Sequence, residues 1–158
     1  MNTQEIFDVL KKQFGDSVIE KGAGESCDEW IVVDSKDILD ISLFLRDADE
    51  LQFDYLDLLS GMDYGKNLAV VYHLYSMNKK HKVTIKTLLN RENPTISTTE
   101  RVWRASDWHE REAYDMYGIV FEGHHNLIRI LCPYDWEGFP LRKDYVYPQE
   151  YHGMKVPY

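Results

Sequence analysis

The densest run of chemically capable side chains is Asp107-Trp108-His109-Glu110-Arg111-Glu112-Ala113-Tyr114-Asp115. On a helix, His109, Glu112 and Asp115 recur at every third residue and share roughly one side. Such a face could hold a metal, helped by His124 and His125, because imidazole and carboxylate are common donors to divalent ions. Its carboxylates could also do acid–base work. A simpler reading suffices. Arg111 stands one turn before Asp115, and Glu110 and Glu112 lie in the early turns, where acids suit the helix dipole. Paired charges that fix the helix need no catalysis. No second His-x-x-Glu or His-x-x-x-His completes a ligand set. The run therefore reads as architecture, with no catalytic, cofactor-binding or metal residue expected.

Other chemistry lacks its signature. There is no GxGxxG, no GxxxxGK[ST] and no GxSxG, so neither a phosphate cradle nor a nucleophile elbow is present. Cys27 and Cys132 are far apart, with no CxxC pair. Two thiols fall short of the four thiolates of the usual iron–sulfur cluster, and both read as small buried apolar residues. His73 and His81 read as sheet or surface residues, and Lys79, Lys80 and Lys82 as a solvated basic turn. A formal charge of -9 without a basic stripe argues against nucleic acid and against docking on an anionic membrane surface. No window approaches the roughly 18 apolar residues of a spanning helix. The start, MNTQEIFDVLKKQFGD, lacks the basic opening and apolar run of a signal peptide, so the chain reads as cytosolic.

The elements that must position these residues follow from period. With 158 residues, 44% of them apolar, the chain can build one core. Asn2 and Glu5 resemble a capping box before Ile6, Val9, Leu10 and Phe14, and Gly15 ends that helix. Ser17–Ile19 and Trp30–Val33 read as short strands around a polar turn region, Lys21–Glu29. Ser35 is placed to cap a second helix carrying Ile38, Ile41, Ser42 and Leu45. Phe53–Leu59 alternates apolar and acidic residues, and Leu68–Met77 with Lys82–Leu89 reads as an antiparallel hairpin. Thr98–Arg104 and Ser106–Tyr117 look helical, with Gly118 terminating the second. No regular βαβ crossover is expected. The fold class is α+β, a mostly antiparallel sheet with helices on one face and an extended, Pro/aromatic-rich C-terminal tail.

That tail sets the domain division: residues 1–132 as one α+β domain and 133–158 as a tail docking on a partner. Pro133, Pro140, Pro148 and Pro157 alternate there with Tyr134, Trp136, Phe139, Tyr145, Tyr147, Tyr151 and Tyr158. Prolines at that density forbid a long helix or a central strand. So many aromatics need a covering surface, on their own domain or on a partner.

Glu110-Arg111-Glu112-Ala113-Tyr114-Asp115-Met116-Tyr117-Gly118-Ile119, then Phe121 and Gly123-His124, resembles the pattern of the respiratory complex I 30-kDa subunit family. The likeness continues through Leu127, Arg129-Ile130-Leu131, Gly138 and Pro140-Leu141-Arg142-Lys143-Asp144-Tyr145. Where that pattern runs Gly-His-Pro-Asp-Leu-Arg-Arg, this chain has Gly123-His124-His125-Asn126-Leu127-Ile128-Arg129, without the proline, one acid and one arginine. The resemblance implies a structural subunit of the peripheral arm of a proton-translocating NADH:quinone oxidoreductase, not itself catalytic. FMN, iron–sulfur clusters and quinone would sit in partner subunits. The 49-kDa-like protein would be the first partner, beside a cluster-bearing protein of the quinone module, on the cytoplasmic face of the energy-transducing membrane. It also implies that Glu110, Arg111, Glu112 and Asp115 lock the helix, that Gly118 permits its exit, and that Arg142, Lys143 and Asp144 anchor the tail on the partner. Tyr114, Gly123, His124, Arg129, Trp136, Phe139, Pro140, Leu141 and Tyr145 complete the motif and interface set. Equivalent subunits of membrane-bound hydrogenases, formate hydrogenlyases and ferredoxin-linked photosynthetic complexes share the Glu-Arg-Glu and Pro-Leu-Arg-Lys-Asp stretches and form the alternative.

Overall fold

Asn2 and Glu5 close a reciprocal cap: the Glu5 N–H donates to Asn2 Oδ1 at 2.8 Å and the Asn2 N–H to Glu5 Oε2 at 2.9 Å. Two of the orphan donors at a helix start are thereby satisfied, and α1 (Thr3–Phe14) runs from there to Gly15, burying Ile6 and Leu10. This is a computed structural model, and it describes residues 1–24 and 27–156. Pro157, Tyr158 and the Cys27 side chain, all weighed above, lie outside the described part.

Strands β1 (Val18–Gly24) and β2 (Cys27–Val33) pair antiparallel. The segment expected to be a turn, Lys21–Glu29, is therefore largely ladder. Gly22, within that segment, makes room for a side chain: a Cβ there would lie 2.3 Å from the Trp30 indole. Ser35 does not cap the second helix. The Asp34 carboxylate accepts the Lys36 N–H at 3.0 Å and opens a 3₁₀ turn over Ser35–Asp37, after which α2 (Ile38–Asp47) begins without a side-chain cap.

Strands β3 (Tyr55–Asp63), β4 (Asn67–Ser76) and β5 (His81–Asn90) complete a five-stranded sheet in the order β1-β2-β5-β4-β3. The expected hairpin is β4–β5, in register from Asn67 opposite Asn90 to Ser76 opposite His81. Helices α1 and α2 cover one face. There Ile6, Leu10, Ile38, Ile41 and Leu45 join Ile31, Val33, Leu59, Tyr72, Leu74 and Ile85 in one buried cluster, each large apolar side chain stabilising by roughly 1.5–3 kcal/mol.

Among the described residues parallel pairing occurs twice, although no regular βαβ crossover is expected from the sequence. β2 runs parallel to β5 after an excursion through α2 and the β3–β4 hairpin. β6 (Thr95–Ser97) runs parallel to β7 (Val120–Glu122) across α3 (Ser106–Tyr117). At three residues each, β6 and β7 are too short to show a period of two. Thr98–Arg104 is not a helix. It makes one turn, with the Val102 and Trp103 N–H groups on the Thr99 carbonyl, because Thr98 and Thr99 are held elsewhere, as described below. Helix α3 itself has the expected bounds and ends at Gly118, whose φ of 70° is left-handed. The described tail carries a two-residue hairpin, β8 (Glu150–Tyr151) with β9 (Met154–Lys155). The chain is α+β with a mostly antiparallel sheet. Among the described residues no helix is long and apolar enough to cross a membrane.

Candidate functional site

Two acids of α3 point inward and organise the segments around the helix. Glu110 is fully buried. It accepts the Thr98 hydroxyl at 2.5 Å, the Thr99 N–H at 2.7 Å and the Thr99 hydroxyl at 2.8 Å, which ties the turn before α3 to the helix. Burial pushes its carboxyl above the usual range, against the pull of these three donors.

Asp115, equally buried, fastens the chain that follows β7. Its Oδ2 accepts the N–H groups of Ile130 at 3.0 Å, Leu131 at 2.7 Å and Cys132 at 2.8 Å, while Oδ1 takes Arg129 at 2.6 Å. Burial pushes this carboxyl up, but the backbone donors and the guanidinium outweigh it and hold it below the usual range. Arg129 continues to the Gly138 carbonyl at 2.8 Å. One carboxylate thus sets a run of backbone that no helix or strand supports.

The first part of the tail then closes over the end of α3. Phe139 meets Tyr114 edge to face, with the Arg129 and Arg142 guanidinium groups over its ring at 5.4 and 4.8 Å. A Cβ on Gly118 would lie 2.4 Å from that ring, so glycine is needed here for space as well as for its left-handed φ. The Leu141 N–H donates to the Met116 carbonyl and Arg142 Nε to the Tyr117 carbonyl, the latter at 2.6 Å. The Lys143 N–H donates to Asp63 at 2.8 Å, and Arg91 bridges Asp63 at 2.7 Å and Asp144 at 2.5 Å. The Arg91 guanidinium holds the Asp63 carboxyl far below the usual carboxylate range. Trp136 donates to the Tyr145 hydroxyl at 2.9 Å, and Pro140, between them in sequence, is half-buried. In this structure the bonds of Arg142 and Asp144, and the backbone of Lys143, fasten the tail to its own domain.

The expected pair of Arg111 with Asp115 does not form. Arg111 donates to the carbonyls of Ile128 and Arg129 at 3.2 and 3.4 Å and stacks on Trp108 at 5.2 Å. Glu112 is exposed rather than part of a buried network. It lines a cleft of about 50 Å³ with His109, Gly61, Tyr117 and Leu141, far below a usual ligand pocket of ~300–1,000 Å³. Asp115 points elsewhere, so His109, Glu112 and Asp115 do not converge. Gly123 turns the chain with φ 84°, and His124 and His125 meet Glu100 and Asp107 instead. Asp63, Arg91, Thr98 and Thr99 are missing from the expected set. Each lies far in sequence from the side chain it binds, and a local pattern gives no sign of them.

Several large apolar side chains remain exposed. Trp108 is 62% exposed, Leu131 63%, Val146 85% and Tyr134 94%. Exposed apolar surface of this kind is common at sites where proteins meet.

Residues 31–151 match the model of the family described as the respiratory-chain NADH dehydrogenase, 30 Kd subunit, and the chain belongs to that family. It is 47% identical over 160 residues to a NADH-quinone oxidoreductase subunit of Chloroherpeton thalassium, covering 95% of this chain but only 63% of that relative's length. It is 46% identical over 155 residues to the corresponding NADH-quinone oxidoreductase subunit of Chlorobium phaeobacteroides, covering 96% of this chain and 93% of the relative. The fold is shared with a trypsin-resistant fragment of Nqo5 (TM-score 0.64, 24% identity, 77% of this chain and 98% of the fragment). It is also shared with a chain of the membrane-bound sulfane sulfur reductase, an archaeal respiratory membrane complex (TM-score 0.73, 20% identity, 90% and 85%).

Proposed function

We propose that this chain is a structural and assembly subunit of the peripheral arm of a proton-translocating NADH:quinone oxidoreductase. In that role it supports electron transfer from NADH through iron–sulfur clusters to quinone without itself holding flavin, cluster or quinone. Its first partner is the 49-kDa-like protein, beside the cluster-bearing protein of the quinone module. The assembly sits at the cytoplasmic face of an energy-transducing membrane.

The single observation behind this reading is the division of labour in the α3–tail region. Polar motif residues fasten the 127–145 segment to α3 and β3, while apolar side chains on or beside it, Leu131, Tyr134 and Val146, stay largely exposed, as at sites where proteins meet. Aromatic anchors such as Tyr134 are usual at the centre of interfaces. Family membership and the NADH-quinone oxidoreductase relatives support the choice of complex.

The test is to produce the chain with Tyr134→Asp and Val146→Asp in cells that assemble the complex. The circular dichroism of the isolated variant should match the parent, while the chain should be missing from the complex on native gels. Normal incorporation of the folded variant would refute the docking role.

A further inference from the structure

Four side chains from three separate places meet beside the start of α3: Glu100 from the turn before it, Asp107 from its first turn, and His124 and His125 from the turn after β7. One donor atom from each lies within 4.8 Å of every other. His125 Nδ1 stands 2.7 Å from Glu100 Oε2, and His124 Nε2 stands 3.3 Å from Asp107 Oδ1 and 3.7 Å from Glu100 Oε2. The Asp107 Oδ1 atom is buried and has no hydrogen-bond partner. Buried carboxylate oxygens are rarely left so.

The two histidines play different parts. The Asn126 N–H donates to His124 Nδ1 at 3.0 Å, so Nε2 carries the ring proton. It points at the Asp107 carbonyl, 3.2 Å away, and past it at Oδ1. His124 therefore positions Asp107 and is not free to coordinate. His125 is exposed, and its only bonded ring partner described is Glu100. It also occupies the place where the family pattern quoted above has proline, a residue with no side-chain donor.

We propose that Glu100, Asp107 and His125 form a site for a divalent transition cation of the zinc class, with Glu100 Oε2, Asp107 Oδ1 and His125 Nδ1 as ligands. The remaining position opens onto a cavity of about 400 Å³ lined by Glu100, Arg101, Arg104, Asp107 and His125. Bonds of about 2.0–2.1 Å to tetrahedral zinc separate ligand atoms by roughly 3.3 Å. The Glu100–His125 contact must open by about half an ångström, which the exposed imidazole can supply by rotating. The cation takes the Nδ1 lone pair, and the proton shared with Glu100 leaves to solvent. Two carboxylates balance the dication, while Arg101 and Arg104 in the same cavity offset the field that would otherwise draw any cation. Selection then falls to bonding with imidazole, which favours zinc or cobalt over magnesium.

The test uses the full chain after treatment with a chelator, titrated with Co²⁺ by visible absorption and with Zn²⁺ by calorimetry, in millimolar Mg²⁺. Saturation at one cation per chain is expected. His125→Gln and Glu100→Gln, with unchanged circular dichroism, should each weaken binding by about tenfold or more. Absence of saturable binding overturns the proposal, as does loss of binding to Mg²⁺ competition. Wild-type affinity in either variant overturns it too, and would place the cation elsewhere, for instance at the Met1 amine and His81, 3.2 Å apart.

Discussion

Asp115→Asn is the sharpest perturbation of this architecture. The amide keeps the size of the carboxylate but removes its charge and one acceptor. If its oxygen stays on the N–H groups of Ile130, Leu131 and Cys132, its NH₂ group faces Arg129, donor against donor. If it turns over, the three backbone donors lose their acceptor. Breaking a buried pair by removing one partner costs about 3–5 kcal/mol. Arg129 keeps the Gly138 carbonyl and is 15% exposed, so the low end, about 3 kcal/mol, is the reasoned figure. That leaves a domain with a stability of ~5–15 kcal/mol still folded, and lowers Tm by roughly 6–12 °C for a chain of this size. Thermal unfolding by circular dichroism measures the loss. Hydrogen exchange locates it, with faster exchange at 130–132 and through the tail to Tyr145. The pH dependence carries its own sign. Asp115 is depressed in the folded chain, so its contribution is present above the unfolded value near 4 and is lost as pH falls through the lower folded value. The variant should therefore show a shallower loss of stability in acid. A Tm within about 2 °C of the parent, with amides 130–132 still protected, would refute this account of the carboxylate.

Two further outcomes separate the acids of α3. The Glu110 carboxyl is raised by burial, so stability should decline as pH rises from the unfolded value near 4 through the raised folded value. Glu110→Gln should flatten that decline in denaturant midpoints taken across pH, and an unchanged profile would count against the burial argument. Glu112→Ala, on the exposed side of the same helix, should change stability by no more than about 0.5 kcal/mol. A loss of several degrees in Tm would restore the buried network that the sequence suggested for it.

The amino-acid pattern alone determined the elements whose information is local. The Asn2–Glu5 cap, the bounds of α3, the left-handed Gly118 and the β4–β5 hairpin depend on residues within a few positions of one another, and all are legible without coordinates. The residues of the family motif were legible too. Which acid braces what was not. Glu110 and Glu112 are two residues apart and chemically alike, yet one is buried on two threonines and the other faces solvent. The helical face that is buried depends on how β3 and the turn at 98–104 pack against α3, and that packing is set by distant side chains. The Asp63–Arg91–Asp144 bridge spans 28 and 53 residues, and the Glu100–His125 contact spans 25. The parallel pairing of β2 with β5 likewise joins strands separated by a helix and a hairpin. Contacts of that range leave no period or spacing in the chain; they exist only once the sheet has brought their partners together, because it is shared burial and not sequence proximity that selects them.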